Sequence, residues 1–524
     1  MRLNHRKLKT LNLLGLGGFA LCSMVSQAAP TTIVLGNRHS DPSLFVKTAD
    51  SREAAQKLAK GFVDTLNTKD PAKMRAFILS HCTTATPVET RLQRMMSVTN
   101  QFGPFKVVRF GTTTDSEVRA LVADRNGDNQ TFIVRITPGA DPKIVSVSIT
   151  SPDQVDAPPA VSHSNWTTLS GLATDIAKET RSPAMAIAMS RNGKLEQTVT
   201  GVRELGKNDK VGVDEPFSIG SIGKPLCSTL IGKLIEAGML RFDTTLKEAL
   251  PGYPMKPAYE NLTLEQVMQH RAGLPQDLGF PPGVVQRIVG DSTDPIEIRS
   301  KYIKDILSRD VIAKPNERFA YSNADYAVLS HIIELKLGIP YEEALRTLLF
   351  QPLGLNHSYI GSATFPKERP SGHVPGPNGL TVRNYIGLTD NQSSNKLETM
   401  VAGAGAGIYM SVADLVRFGE MHMKGLQGED GYLKASTIAR LHQGVHEDPG
   451  ATREYACGWG IQTSPGIQQW HGHNGSDGTF VSDLAIFPKS NLVIVAIVNR
   501  GGQTDPSPGF QAITAIASKY APAK

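Results

Sequence analysis

Phe217-Ser218-Ile219-Gly220-Ser221-Ile222-Gly223-Lys224 is the stretch on which the reading of this chain turns. Ser221 and Lys224 stand in Ser-x-x-Lys spacing. If Ser221 opens a helix, the two side chains share one face, a turn apart. A hydroxyl at a helix N-terminus lies beside unpaired N–H groups and the positive dipole end, and both favour a developing oxyanion. A lysine confined in that cleft loses water, which lowers its proton affinity and makes a neutral amine available as base. Two rival motifs fail at the same place. A phosphate-binding loop needs Gly at 218 and Ser or Thr after Lys224, where the chain has Ser218 and Pro225. A nucleophile elbow needs Gly where Ile219 stands.

Working outward, two later segments bear compatible chemistry. Tyr321-Ser322-Asn323 sets a phenol and a carboxamide two residues apart. A phenol beside an ammonium ionises more easily and can shuttle protons, and a carboxamide can orient the lysine or donate to a substrate carbonyl. A turn with a helix N-cap explains the same residues equally well. Farther on, Trp470-His471-Gly472-His473-Asn474-Gly475-Ser476-Asp477-Gly478 precedes an apolar tract from Val481 to Val498, turned at Pro488-Lys489-Ser490-Asn491. That tract reads as a hairpin of core strands. On a strand His471 and His473 face the same side, and a glycine-rich edge lets substrate backbone approach. Two histidines without a carboxylate or cysteine partner make a poor metal site, so no metal and no cofactor is expected.

Ser221-Ile-Gly-Lys224, Tyr321-Ser-Asn323 and His473-Asn-Gly475, in this order, resemble the three motifs of the class C β-lactamase and penicillin-binding serine hydrolase superfamily. His270-Arg-Ala-Gly273-Leu274-Pro275, Gln351-Pro-Leu-Gly-Leu355, Gly403-Ala-Gly-Ala-Gly407 with Asp414, and Cys457-Gly458-Trp459-Gly460 match as well. The resemblance spans about residues 165–520. It implies an α/β (α+β) fold: an antiparallel sheet of five to seven strands flanked by helices, plus a helical region, with the site between them. It further implies acylation of Ser221, with Lys224 and Tyr321 sharing the base and acid roles. Asn323, His473, Asn474, Gly475 and Ser476 would meet the substrate, and the N–H groups of Ser221 and Ser476 would form the oxyanion hole. One departure matters. Class C β-lactamases usually carry Lys-Thr-Gly at the third motif, where this chain has His473-Asn474-Gly475, and a neutral histidine offers no guaranteed charge.

The expected function is therefore an exported hydrolase of an ester or a D-amino-acid amide or peptide. A β-lactamase is the first alternative, and a catalytically silent binding or sensor module the second. The substrate is a small-molecule ester, a peptide or a β-lactam.

The rest of the chain sets the context. Arg2, Arg6, Lys7 and Lys9, then the apolar run Leu11–Val25 and Ser26-Gln27-Ala28, read as a secretory signal over residues 1–28, with a periplasmic or secreted product. The run is shorter than the roughly 20 residues a membrane span needs. Losing those four basic residues lowers the net charge from +6 to +2, which gives no support for nucleic-acid binding. Three cysteines then remain, Cys82, Cys227 and Cys457, too few for a disulfide framework. Oligomeric state leaves no mark in the sequence.

Residues 45–150 read as a small α+β unit. Ala54, Ala55, Leu58, Phe62 and Leu66 recur at helical spacing, Asp70-Pro71 signals a helix start, and four strands follow with a turn at Asn126-Gly127. In layout this unit resembles the nuclear-transport-factor-2-like cone fold, and it reads as an accessory module. Residues 151–163, with Pro158-Pro159, have linker composition, and 164–520 form the hydrolase region.

Overall fold

The computed structural model describes residues 42–523 except 276–283, 362–365, 377, 384–391 and 448–452. The expected signal segment lies outside the described residues. Leu492–Val498 is a run of seven buried residues, mostly β-branched, and such a run suits a strand covered on both faces. It sits inside an antiparallel eight-stranded sheet. The order is Val445–His446, Glu454–Tyr455, Gly460–Ser464, Ile467–Ser476, Val481–Phe487, Leu492–Val498, Ala184–Arg191 and Lys194–Gly201. The two outermost strands at one side hold two residues each, so the six longer strands match the expected five to seven. The anticipated hairpin pairs Val481 with Val498 and Phe487 with Leu492, and Asn491 closes its turn at φ 49°.

Strand alternation divides the core in two. Met185, Ile187, Met189, Ile494, Ala496 and Val498 pack under the helices Leu169–Glu179 and Pro508–Tyr520. Ala184, Ala186, Ala188, Val493, Val495 and Ile497 face the opposite way, into a larger core. That core joins the helices Gly223–Glu236, Asn323–Leu337 and Val412–Leu426 to the sheet. The fold class expected from the motifs is the one observed.

The N-terminal helices Pro42–Asn67, Pro71–His81 and Val88–Phe102 pack with a four-stranded antiparallel meander around Ala55, Phe62, Met74, Val118, Phe132 and Val134. Asp70 caps the second helix by accepting from the N–H groups of Ala72 and Lys73, with Pro71 at its first turn. Among the described residues no helix is long and apolar enough to cross a membrane.

Segment 151–163 differs from an exposed tether. Asp153, Gln154 and Val155 are buried in a short 3₁₀ turn over Pro152–Asp156. Asp153 accepts two hydrogen bonds from Arg500, at 2.9 and 3.2 Å. Ser151 exchanges two more with Gln503: its N–H donates to the Gln503 carbonyl at 2.9 Å, and its Oγ accepts from Gln503 N–H at 2.6 Å. Proline content suggested a linker, whereas long-range polar partners fix this half of the segment.

Candidate active site

Ser221 stands in a single 3₁₀ turn, Gly220–Ile222, that runs directly into the helix Gly223–Glu236. The helix thus begins two residues later than a serine at its first position would require, yet Lys224 still reaches back: its Nζ donates to Ser221 Oγ at 3.0 Å. Lys224 is fully buried. Its ammonium nitrogen also donates to Asn323 Oδ1 at 2.8 Å and to the Ala404 carbonyl at 3.2 Å. From the opposite motif, Tyr321 OH donates to Ser221 Oγ at 2.8 Å. The lysine therefore lies among oxygens that fix the direction of its N–H bonds. When the amine is neutral, Asn323 Oδ1 and Ala404 O hold its two hydrogens and its lone pair faces Ser221 Oγ.

Local folding explains why these groups meet. Ser322 caps the helix Asn323–Leu337 by accepting from Ala324 N–H, and its Oγ donates to the Pro275 carbonyl. This cap holds Tyr321 outside the helix and Asn323 on its first turn. The strand Ile467–Ser476 then crosses the serine turn backbone to backbone. A Cβ on Gly475 would lie 1.9 Å from Ile219 O and 2.9 Å from Ser221 N. Gly220, at φ 48°, would bring a Cβ within 2.4 Å of Ser476 N. Only glycine permits both approaches. The backbone amides of Ser221 and Ser476 thus both lie at this crossing. Ser482 Oγ donates to Ile219 O at 2.7 Å and ties the next strand to the same turn.

His473 behaves differently from a substrate ligand. Its Nδ1 lies 2.6 Å from the Asn474 carbonyl, so that nitrogen carries the proton, and Nε2 accepts from Tyr455 OH at 2.9 Å. Both ring nitrogens are spent inside the protein. Burial, with the Lys224 charge adding to it, pushes its pKa down to about 3. The ring is neutral at physiological pH. Asn474 and Ser476 are half-buried, and Ser476 Oγ accepts from Gly478 N–H.

His471 turns elsewhere, into a chain with His442 and His422. His471 Nδ1 lies 3.1 Å from His442 Nδ1, His442 Nε2 lies 3.0 Å from His422 Nδ1, and His422 Nε2 lies 2.9 Å from Thr229 Oγ1. The nitrogens bond to one another instead of converging on a point. Among the described residues, no group of three or more His, Cys, Asp or Glu is placed to hold a metal ion. Cys82, Cys227 and Cys457 are free thiols, the last two buried.

Sequence reasoning did not single out three contributors. The Ala404 carbonyl lay inside the quoted Gly403–Gly407 segment, but a backbone acceptor has no side-chain signature. Tyr455, the partner of His473, had no local signal. His270 lay in a quoted segment whose chemistry was not read.

A serine bonded to a buried lysine and a tyrosine, between a sheet and a helical region, is an arrangement suited to nucleophilic catalysis, and the protein is a serine hydrolase. The chain belongs to the beta-lactamase family, whose model matches residues 169–517. It is 28% identical over 333 residues to penicillin-binding protein 4 of Amycolatopsis lactamdurans, covering 62% of this chain and 82% of that one. It is 22% identical over 321 residues to the D-alanyl-D-alanine-carboxypeptidase/endopeptidase AmpH of Escherichia coli (strain K12), covering 58% and 76%. The fold is also that of an octameric penicillin-binding protein homologue from Pyrococcus abyssi, with TM-score 0.55, 23% identity, and 67% and 78% of the two chains covered. A D-amino acid amidase from Ochrobactrum anthropi SV3 gives TM-score 0.54 and 21% identity over 67% of this chain and 97% of that one.

Proposed function

We propose that this protein is an exported hydrolase that acylates Ser221 and acts on an ester or on a D-amino-acid amide or peptide without a carboxylate at the recognition point. The observation that carries the reading is the orientation of Lys224, whose two carbonyl acceptors leave a neutral amine's lone pair facing Ser221 Oγ. Ser221 attacks the substrate carbonyl and gives its proton to Lys224. The oxyanion is met by the N–H groups of Ser221 and Ser476. Tyr321, bonded to the same Oγ, relays that proton to the leaving alcohol or amine as the tetrahedral intermediate collapses. Water then adds to the acyl-enzyme by the reverse proton route, releasing the acid and restoring Ser221.

Asn323 has two roles in this reading, orienting Lys224 and facing the substrate. His473 supports the substrate side indirectly, by fixing the Asn474 carbonyl and Tyr455. Its neutral, fully bonded ring argues for an uncharged substrate group, and against the β-lactamase alternative, where a cationic third motif would meet the carboxylate. The names of the relatives, penicillin-binding protein, carboxypeptidase/endopeptidase and D-amino acid amidase, favour acyl chemistry on D-configured substrates. The basic and then apolar start of the chain supports a periplasmic or secreted enzyme, and the N-terminal helices and meander support an accessory role.

The test is hydrolysis of p-nitrophenyl butyrate and a D-amino-acid p-nitroanilide by the protein and by Ser221→Ala, beside a chromogenic cephalosporin. Turnover of either of the first two that disappears in the variant, with slow cephalosporin turnover, is the expected result. Fast cephalosporin turnover would reinstate the β-lactamase, and equal, negligible rates on all three would sink the hydrolase reading.

A further inference from the structure

His270 adopts a left-handed backbone conformation, φ 56°, which is uncommon for a residue other than glycine, although histidine takes it more readily than most. Such strain persists only where the surroundings hold it, and it is commonest at working sites. Here the surroundings are the Tyr321 segment. Ala320 N–H donates to the His270 carbonyl at 2.8 Å, and His270 Nδ1 lies 2.5 Å from Asp325 Oδ2. Ser322 N–H approaches the same Nδ1 at 3.3 Å. The shorter contact governs, so Nδ1 carries a proton that points at the carboxyl oxygen. The His270 ring lies 4.4 Å from the Tyr321 ring, centroid to centroid, and Lys224 Nζ lies 4.6 Å from that same Tyr321 centroid. Phe319, Tyr326 and Tyr455 enclose the imidazole on its other sides, and His473 is the remaining titratable ring near it. His270 and Asp325 are both buried, and His270 Nε2 has no hydrogen-bond partner among the described residues.

A buried imidazole with one nitrogen unpaired is costly to keep if packing is its only task. We propose that His270 and Asp325 form the positioning pair for Tyr321: a carboxyl–imidazole unit that holds the phenol against Ser221 and biases the proton balance of the Ser221–Lys224–Tyr321 group. Neither residue touches the reacting atoms. The unit acts through the Tyr321 ring and through the backbone of residues 320–322. It rests on the acyl-serine reading, and it adds to that reading a fourth and fifth residue with a stated electrostatic sign. A negative carboxylate behind the phenol favours the protonated form of Lys224, so its removal lowers the pH at which the neutral amine appears.

The experiment is the pH dependence of Ser221 labelling by a fluorophosphonate, which needs no knowledge of the natural substrate. The expected result for Asp325→Asn is a folded protein labelled roughly ten- to a hundred-fold more slowly at neutral pH, with the acid limb of the rate profile moved to lower pH. Asparagine tolerates φ above zero and its carboxamide can donate to Asp325, so His270→Asn should recover most of the rate that His270→Ala loses. Wild-type rates and an unmoved limb in Asp325→Asn would overturn the proposal while leaving the hydrolase intact. So would His270→Asn as slow as His270→Ala when both fold. A wild-type protein that the probe does not label would overturn the hydrolase reading and this one together.

Discussion

Two kinds of buried cation occur in this molecule, and their surroundings differ. Arg299 is fully buried and bonded to Glu334 and Glu342, at 2.9 Å from Nε to Glu334 and 2.6 Å from Nη2 to Glu342. Burial opposes its charge, yet the two carboxylates outweigh it and hold its pKa above the usual value. Arg500 is likewise clamped by Asp153, with further bonds to the carbonyls of Thr180 and Gly501. Lys224 is as deeply placed, and its hydrogen bonds include those to a hydroxyl, a carboxamide and a backbone carbonyl. A carboxylate clamp commits a cation to its charge, whereas dipolar oxygens fix direction and leave the proton free to move. The first arrangement suits a structural pin, and the second is what the proposed base needs.

That contrast can be broken by substitution. Lys224→Ala should lower turnover by roughly a thousand-fold or more while the circular dichroism spectrum and Tm stay near wild type. Activity within a few-fold of wild type would remove lysine from the base role. Asp153→Ala should do the reverse: it strands a buried guanidinium and costs about 3–5 kcal/mol of stability, read from urea unfolding, with kcat of the folded fraction retained. If Asp153→Ala instead depressed kcat without lowering stability, the pin and the base would not be separable in this way.

A pH titration of stability tests the buried histidines. Burial pushes His422 and His473 down to about 3 and His471 to about 4, with His442 also well below its usual value. Unfolded, each titrates near 6.5, so the unfolded chain binds more protons below that pH. Their contribution is fully present above about pH 6.5 and falls as pH drops toward 4 and 3, by up to about 1.4 kcal/mol per histidine per unit. Glu398 and Asp483 act with the opposite sign, because burial raises both to about 8. Their contribution is present below about pH 4 and declines between 4 and 8. Tm should therefore peak near pH 6–7, and a Tm that kept rising as pH fell from 6 to 4 would contradict the neutral histidine assignments.

Legibility in the sequence followed the range of the interaction. Ser221 and Lys224 are three residues apart, Asp70 caps its own helix, and Asn491 turns its own hairpin, so local pattern was enough. Tyr321 and Asn323 became legible through their motif, although their contact with residues 221 and 224 spans about a hundred positions. No pattern announced that Asp153 meets Arg500 across 347 residues, or that Tyr455 satisfies His473. Those pairs are fixed by strand order and packing, which no local spacing encodes. His270 was visible as a letter in a segment, but its backbone angle was not.

The contacts that start at Ser151 run farther than an anchor needs to. A Cβ on Gly502, the neighbour of Gln503, would collide with Ser151 Oγ and with Pro375. His373, two residues before that proline, donates its N–H to Thr479 O and receives Gly501 N–H at its own carbonyl. Thr479 in turn is bonded to Asp477, the residue after Ser476. The segment that follows the N-terminal meander thus shares a short mechanical linkage with the strand end at Ser476. To anyone recombining parts among related hydrolases, the front of this chain is not a free cassette: an exchanged module would have to reproduce the surface that Ser151 presents to Gly502 and Pro375, or else shift the strand end at Ser476.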